Sequence, residues 1–110
     1  AFEARGLPWR WSEERYAELL RVTGGRERLH HDLATRPDAP ADPLARDALV
    51  QALHAEKNRR YGSIVAQGGI PLRPGVPRLM REAAAAGVRL AIATTTSRVN
   101  LDALLSAQLG

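Results

Sequence analysis

The sequence predicts an α/β protein that consists of an all-helical bundle followed by part of a Rossmann-like parallel-sheet core. Residues 1–69 show helical periodicity with N-caps and glycine stops, whereas Val88–Thr94, "VRLAIAT", is a mostly apolar run between two helical segments. A helix, a buried strand, a polar loop and another helix are typical of a parallel sheet that is covered on both faces. Because one strand cannot form a sheet, we expect its remaining strands outside these 110 residues or in another chain.

The composition excludes several classes of protein. The chain is 45% hydrophobic and 25% charged, which is typical of soluble globular domains, and its lack of cysteine excludes disulfides, thiolate nucleophiles and Cys-ligated zinc. No apolar run approaches the roughly 20 residues that span a bilayer, so we expect a cytoplasmic protein without a membrane partner. The net charge of +4 comes from basic residues interspersed with acidic ones, which indicates solvated helix surfaces and no nucleic-acid partner.

The first helix is predicted over residues 13–22. Ser12 is suited to be its N-cap, and two glutamates follow in the first turn, where they oppose the helix dipole. The helix should end at the glycine-containing turn Thr23–Gly25. A second helix, "RERLHHDLATR", follows directly and should be closed by Pro37.

The longest predicted helix begins with Asp42 as N-cap and Pro43 as its first helical residue, and Gly68 and Gly69 should stop it. Its apolar face is expected to consist of Leu44, Leu49, Leu53, Ile64 and Val65.

The last third of the chain no longer shows only the helical sequence pattern of the first 69 residues. Ile70–Val76, "IPLRPGV", favours an extended connection and a sharp entry into a helix that ends at Gly87. After the predicted strand, Ser97 can cap a final helix through "VNLDALLSAQL".

Four consecutive hydroxyl side chains, Thr94–Ser97, follow the predicted strand. Ligands of open α/β sheets bind beyond the carboxyl ends of the strands, and the free N–H groups that begin the next helix suit an anion. Hydroxyl groups there can donate to phosphate oxygens without adding negative charge. The same pattern also fits a strand end followed by ordinary helix capping, so spacing alone leaves both interpretations open.

Four segments of the chain resemble segments of the haloacid dehalogenase superfamily, and they follow one another in the same order as in that family. "RPGVPRLM" resembles the hinge at which the chain leaves a helical cap and re-enters the core, and "LAIATTTS" resembles the second motif of the family. "VTGGRERL" and "LHAEKNRRY" are similar to cap segments of the branch that contains the Calvin-cycle-operon sugar-bisphosphate phosphatases and β-phosphoglucomutase. The resemblance implies a helical cap over residues 1–71, part of an α/β core over residues 72–110, a Mg²⁺ cofactor and a small phosphorylated sugar as substrate.

In the core, the resemblance implies that the hydroxyl of Thr94 hydrogen-bonds the transferring phosphoryl group. The backbone N–H of Thr95, together with Thr96, would continue the same phosphate cradle.

In the cap, the resemblance places Arg26 as a basic substrate-binding residue after a turn shaped by Thr23, Gly24 and Gly25, and Lys57 with Asn58 at the non-reacting end of the substrate. Lys57 is the only lysine among 16 basic side chains, which fits a site that needs a compact ammonium. Each of these cap residues could instead be an ordinary solvated side chain.

The three histidines, His30, His31 and His54, lack metal-ligand spacing and are interpreted as surface or packing residues.

The chain lacks several parts of the family pattern: the aspartate nucleophile, the lysine of the third motif and the late acidic residues that hold Mg²⁺. The family attacks phosphorus with an aspartate that is followed two residues later by a second one, and no such pair occurs here. We therefore expect a fragment whose nucleophile and most Mg²⁺ ligands lie outside it, and which is inert by itself. For the parent protein we expect a phosphatase; a phosphoglucomutase-like enzyme and a non-catalytic helical binding module are the alternatives.

Overall fold

The computed structural model describes residues 1–109, and the regular structure of that part is helical. After a 3-10 turn at Glu3–Arg5 come the helices α1 (Glu13–Leu19), α2 (Gly25–Ala34), α3 (Pro43–Ala66), α4 (Val76–Ala85) and α5 (Arg98–Leu109). The chain forms two compact units, Ala1–Arg60 and a second one from Tyr61 onwards, so the division falls inside α3. The domain boundary predicted after residue 71 stays a prediction.

Helix α1 begins as predicted and ends earlier than predicted. The Ser12 hydroxyl accepts a hydrogen bond from the Arg15 N–H at 3.1 Å, which is the expected N-cap. After Leu19 the backbone closes in tighter turns, with the Val22 N–H donating to the Leu19 carbonyl at 3.0 Å. These i to i+3 bonds satisfy the last carbonyls and stop the helix before Val22.

Helices α2 and α3 also begin where the sequence predicts. Gly24 precedes α2 with φ of 96°, a left-handed conformation that other residues rarely adopt. At the start of α3, the Asp42 carboxylate accepts from the Ala45 N–H at 2.9 Å, and Pro43 is the first helical residue. Leu53 and Val65 of the predicted apolar face are buried, but Leu44 is 81% exposed and Ile64 is 50% exposed, so the prediction is wrong for these two.

The core of the first unit is a cluster of apolar side chains with one charged residue beside it. Trp9 packs with residues of α2 and α3 in this cluster, which comprises Trp9, Leu29, Leu33, Val50 and Leu53. Asp32 is also buried, and hydrogen bonds from Trp11, Arg15 and Arg36 satisfy its carboxylate. These contacts hold the segment before α1, and α1 itself, against α2.

The second unit corrects the predicted fold class. The described residues 1–109 contain no paired β-strand, so the prediction of a strand over residues 88–94 is wrong for this part of the chain. The segment lies outside any helix, and Val88, Leu90 and Ile92 are each more than half exposed. A β-strand requires hydrogen bonds to a neighbouring strand, and no described segment supplies one. Nor is any helix in residues 1–109 both long and apolar enough to cross a bilayer.

Candidate functional site

Arg26 lies in the first turn of α2, directly after the turn that the sequence singled out. Thr23 and Arg26 are exposed, whereas Gly24 and Gly25 are half-buried. Among the arginines of the first unit, Arg15, Arg36, Arg59 and Arg60 form ion pairs, and none that the structure describes engages Arg26. The Arg26 guanidinium is therefore presented to solvent at the start of the helix.

Lys57 and Asn58 lie side by side on α3. The Lys57 ammonium donates a hydrogen bond to Oδ1 of Asn58 at 3.2 Å. Nδ2 of Asn58 lies 3.5 Å from Nδ1 of His54, one turn earlier on the same helix. The three side chains thus form a continuous polar row.

His54 connects this row to the turn before α2. A Cβ atom built on Gly25 would lie only 3.2 Å from Cδ2 and 3.3 Å from Nε2 of the imidazole, so the ring packs directly against the Gly25 backbone. Burial, followed by the positive charges of Lys57 and Arg26, lowers the pKa of His54, and Glu27 opposes the shift. The charges of Arg26 and Lys57, which come from different helices, therefore act on one imidazole.

A cavity of about 230 Å³ lies beside this group of residues within the first unit. Its lining is mostly apolar and carries two cationic side chains, and consists of Ala1, Phe2, Trp11, Tyr16, Gly25, Arg28, Leu29, Leu53, His54 and Lys57. Arg28 is held in place, since its guanidinium lies 5.8 Å from the Tyr16 ring centre and donates to the Leu19 carbonyl at 3.2 Å. The cavity is a concave site with positive charge on its wall.

The hydroxyl loop, Thr94–Ser97, precedes α5 in the second unit. Oγ1 of Thr94 accepts a hydrogen bond from the Thr96 N–H at 3.1 Å, and Ser97 caps α5 by accepting from the Asn100 N–H at 3.3 Å. The Asn100 amide nitrogen lies 3.5 Å from Oγ1 of Thr96. Thr94, Thr95 and Thr96 are all exposed, whereas Asn100 is buried.

The hydrogen bond from Thr96 has a chemical consequence for Thr94. A hydroxyl has one proton to donate and two lone pairs that accept. Since the Thr96 N–H occupies a lone pair of Thr94, the Thr94 proton is left to be donated to another group. Thr94 and Thr96 also line a second cavity of about 480 Å³, whose other walls are mostly apolar.

The candidate residues therefore form one group in each unit. In the first unit the structure brings Gly25, Arg26, Lys57 and Asn58 together around His54. In the second it joins Thr94 to Thr96, with Thr95 between them. No cluster of three acidic, histidine or cysteine side chains that could hold a metal ion occurs in residues 1–109.

Sequence reasoning did not connect His54 with Asn58, or Asn100 with Thr96. His54 was interpreted as a surface or packing residue, although its spacing of three from Lys57 and four from Asn58 places all three on one helix face. Asn100 carries the same kind of signal, because it lies four residues after Thr96 and three after the capping Ser97.

Comparison with known proteins defines the class of this chain. The model of the haloacid dehalogenase-like hydrolase family matches residues 1–110, and the chain belongs to that family of enzymes. Among its relatives, Protein CbbY (plasmid) of Cupriavidus necator is 48% identical over 110 residues, which are 100% of this chain and 43% of that protein. Protein CbbY of Rhodobacter capsulatus is 47% identical over 106 residues, covering 96% of this chain and 44% of that protein.

Solved structures show the same likeness in three dimensions. A mutant of CbbY from Rhodobacter sphaeroides in complex with xylulose-(1,5)bisphosphate matches with a TM-score of 0.82 and 41% identity, over 98% of this chain and 46% of that one. CbbY from the same organism in complex with phosphate matches equally well, with a TM-score of 0.82. The resemblance inferred from the sequence is thus confirmed, and the chain spans less than half the length of the relatives it matches.

Proposed function

We propose that these residues belong to a Mg²⁺-dependent phosphatase that hydrolyses a sugar phosphate or sugar bisphosphate through an aspartyl-phosphate intermediate. The observation that carries the proposal is the concave site whose wall brings Arg28 of α2 and Lys57 of α3 together, with Arg26 in the adjoining first turn of α2. Converging positive charge on a cavity wall suits an anionic ligand. The solved CbbY structures, which hold xylulose-(1,5)bisphosphate or phosphate, support a phosphorylated ligand for this chain as well.

Arg26 is proposed to bind a phosphate group of the substrate. A cation in the first turn of a helix faces the positive end of the helix dipole, which is unfavourable unless an anion lies nearby. Glu27 supplies one negative charge in the same turn. A phosphate beside Arg26 would gain both from the guanidinium, which can bind two oxygens at once, and from the helix dipole.

Lys57 and Asn58 are proposed to bind the non-reacting end of the substrate. Lys57 provides a point charge for a distal phosphate, and the Asn58 carboxamide orients that charge through the hydrogen bond at 3.2 Å. The turn formed by Thr23, Gly24 and Gly25 would shape the opposite wall. The glycines allow the Glu27 carboxylate and the His54 ring to pack against the backbone of this turn.

The hydroxyl loop is proposed to hold the transferring phosphoryl group. Thr94 would donate its free proton to a phosphoryl oxygen, and the Thr95 backbone N–H and Thr96 would bind neighbouring oxygens. Donors that are already oriented before the reaction stabilise the charge that develops on these oxygens in the transition state. The attacking aspartate is proposed to lie outside these 110 residues, since no pair of aspartates two positions apart occurs in them.

We include Mg²⁺ in the proposal because the family resemblance implies it, and not because the described residues form a site for it. The donor clusters that the ion requires are absent from residues 1–109, so we place its ligands elsewhere in the full-length protein and derive no step through the metal. The contribution of this chain is to bind and orient the substrate.

A substrate screen on the full-length protein tests the proposal. Phosphate release should be fastest from a sugar bisphosphate, slower from a sugar monophosphate or an aryl phosphate, and should stop when EDTA removes the metal. Failure to release phosphate from any of these compounds would overturn the proposal. Conversion of one sugar phosphate isomer into another, without net phosphate release, would favour a mutase instead.

A further inference from the structure

We infer that His54 is a positioning residue for substrate selection: its ring packs against the turn before α2 and orients the Asn58 carboxamide that binds Lys57. The inference rests on the proposed function, and it adds a residue that sets the preference of the same site for a doubly phosphorylated substrate.

The first contact is with the start of α2. Because a Cβ atom on Gly25 would lie 3.2 Å and 3.3 Å from two atoms of the imidazole, no side chain separates the ring from the backbone there. The His54 ring therefore acts as a spacer between α2, which carries Arg26, and the row of polar side chains on α3. A change in the position of the ring would change both walls of the site.

The second contact is with Asn58. A carboxamide nitrogen only donates hydrogen bonds, so across the 3.5 Å between Nδ2 of Asn58 and Nδ1 of His54 the imidazole must be the acceptor. That requires the ring proton on Nε2. With its nitrogen directed at His54, the carboxamide points its oxygen towards Lys57, whose ammonium donates to it at 3.2 Å. His54 thus determines the orientation of Asn58, and Asn58 that of Lys57.

The charges around the ring favour the state that this arrangement needs. Burial and the charges of Lys57 and Arg26 lower the pKa of His54, and Glu27 is the charged group that opposes them. Tyr16 of α1, Arg28 of α2 and the amino-terminal residue Ala1 line the same cavity. A protonated ring would lose its acceptor nitrogen, so the neutral ring is the form that can hold Asn58 in place.

Substitutions in the full-length protein separate positioning from simple packing. His54→Leu fills a similar space against Gly25 but has no acceptor, and it should raise KM for a sugar bisphosphate about tenfold, well above its effect on KM for an aryl phosphate. His54→Asn restores an acceptor where Nδ1 was, and should recover most of the lost affinity. His31→Leu, the same change at an exposed histidine of α2, should alter neither KM.

Equal rises in KM for both substrates, or no recovery in His54→Asn, would overturn the inference. A readout that does not need activity is the histidine-ring ¹⁵N NMR spectrum of the wild-type protein. A proton on Nε2 of His54 is expected, and a proton on Nδ1 would also overturn the inference. If the wild-type protein releases no phosphate, the proposed function fails, while the NMR tautomer still decides the role of His54.

Discussion

The indole N–H of Trp11 donates a hydrogen bond to Oδ2 of Asp32 at 2.8 Å. Asp32 is only 2% exposed, and its carboxylate also accepts from Arg36 at 2.8 Å and from Arg15 at 2.9 Å. A buried carboxylate is costly unless donors satisfy it, and here three donors come from the segment before α1, from α1 and from the turn that follows α2. One side chain therefore determines how these parts of the first unit are joined.

Removal of this charge should destabilise the first unit. Asp32→Asn keeps the shape of the side chain but loses the ionic hydrogen bonds, and we expect the free energy of unfolding to fall by about 2–4 kcal/mol. Both tryptophans of the chain, Trp9 and Trp11, lie in this unit. Urea unfolding followed by tryptophan fluorescence therefore measures its stability.

Glu18→Gln is the matched control, because Glu18 also pairs with Arg15, at 3.2 Å, but its side chain is 65% exposed. Exposed ion pairs contribute little, so this variant should lose less than about 1 kcal/mol. Similar losses in Asp32→Asn and Glu18→Gln would contradict the structural role given to Asp32.

The stability of the first unit should also depend on pH through Asp32. Burial alone would raise the pKa of this carboxyl, but hydrogen bonds from the Trp11 indole and two guanidinium groups outweigh burial and hold the pKa below its usual value. A carboxyl whose folded-state pKa is lowered contributes stability above its unfolded pKa of about 4, and that contribution disappears as the pH falls through the folded-state value.

We therefore expect the free energy of unfolding to decrease as the pH falls below about 4, and to decrease less in Asp32→Asn. Glu56 contributes with the same sign in both proteins, because hydrogen bonds from Arg59 and Arg60 lower the pKa of Glu56 to about 2. Urea midpoints measured across this acidic range in both proteins provide the comparison. An equal pH dependence in the two would show that folding does not lower the pKa of Asp32, and would contradict the prediction.

Local signals in the sequence predicted the starts of the helices well. The caps at Ser12, Asp42 and Ser97 are bonds between a side chain and a backbone N–H three residues later, so the residues that make them are visible within one turn. The predicted strand at residues 88–94 depends on partners that the described residues do not supply. A strand is not a local structure, and its pattern alone cannot provide the neighbouring ladder.

In the candidate site, too, local features could be predicted from the sequence and contacts between distant segments could not. Lys57 and Arg26 could be selected from sequence because they lie in segments that resemble family motifs. The role of His54 depends on its packing against Gly25, which lies on another helix, and the burial of Asp32 depends on donors from three separate segments. Contacts between distant parts of a chain leave no periodic signal in the sequence, so the packing of His54 against Gly25 and the burial of Asp32 could be recognised only in three dimensions.

Lys57 should select for a second phosphate. In the full-length protein, Lys57→Ala is expected to raise KM for a sugar bisphosphate about 10- to 100-fold, since a charged hydrogen bond is lost, and to change KM for an aryl phosphate far less. Arg59→Ala is the matched control, because Arg59 lies on the same helix but is exposed and paired with Glu56 at 2.8 Å. Steady-state kinetics on both substrates give the comparison, and equal effects of Lys57→Ala on the two would remove Lys57 from the site.

Thr94 should contribute to turnover and not to folding. Thr94→Val removes the hydroxyl whose proton is left free by the hydrogen bond from Thr96, and turnover should fall about 10²- to 10³-fold, as expected for the loss of an oriented donor to a charged transition state. Because the side chain is exposed, the circular dichroism spectrum and melting temperature should change little. Thr94→Ser keeps the donor and should retain most of the turnover, while Ser106→Ala removes an exposed hydroxyl from α5 as a control. Wild-type turnover in Thr94→Val would exclude Thr94 from phosphoryl binding.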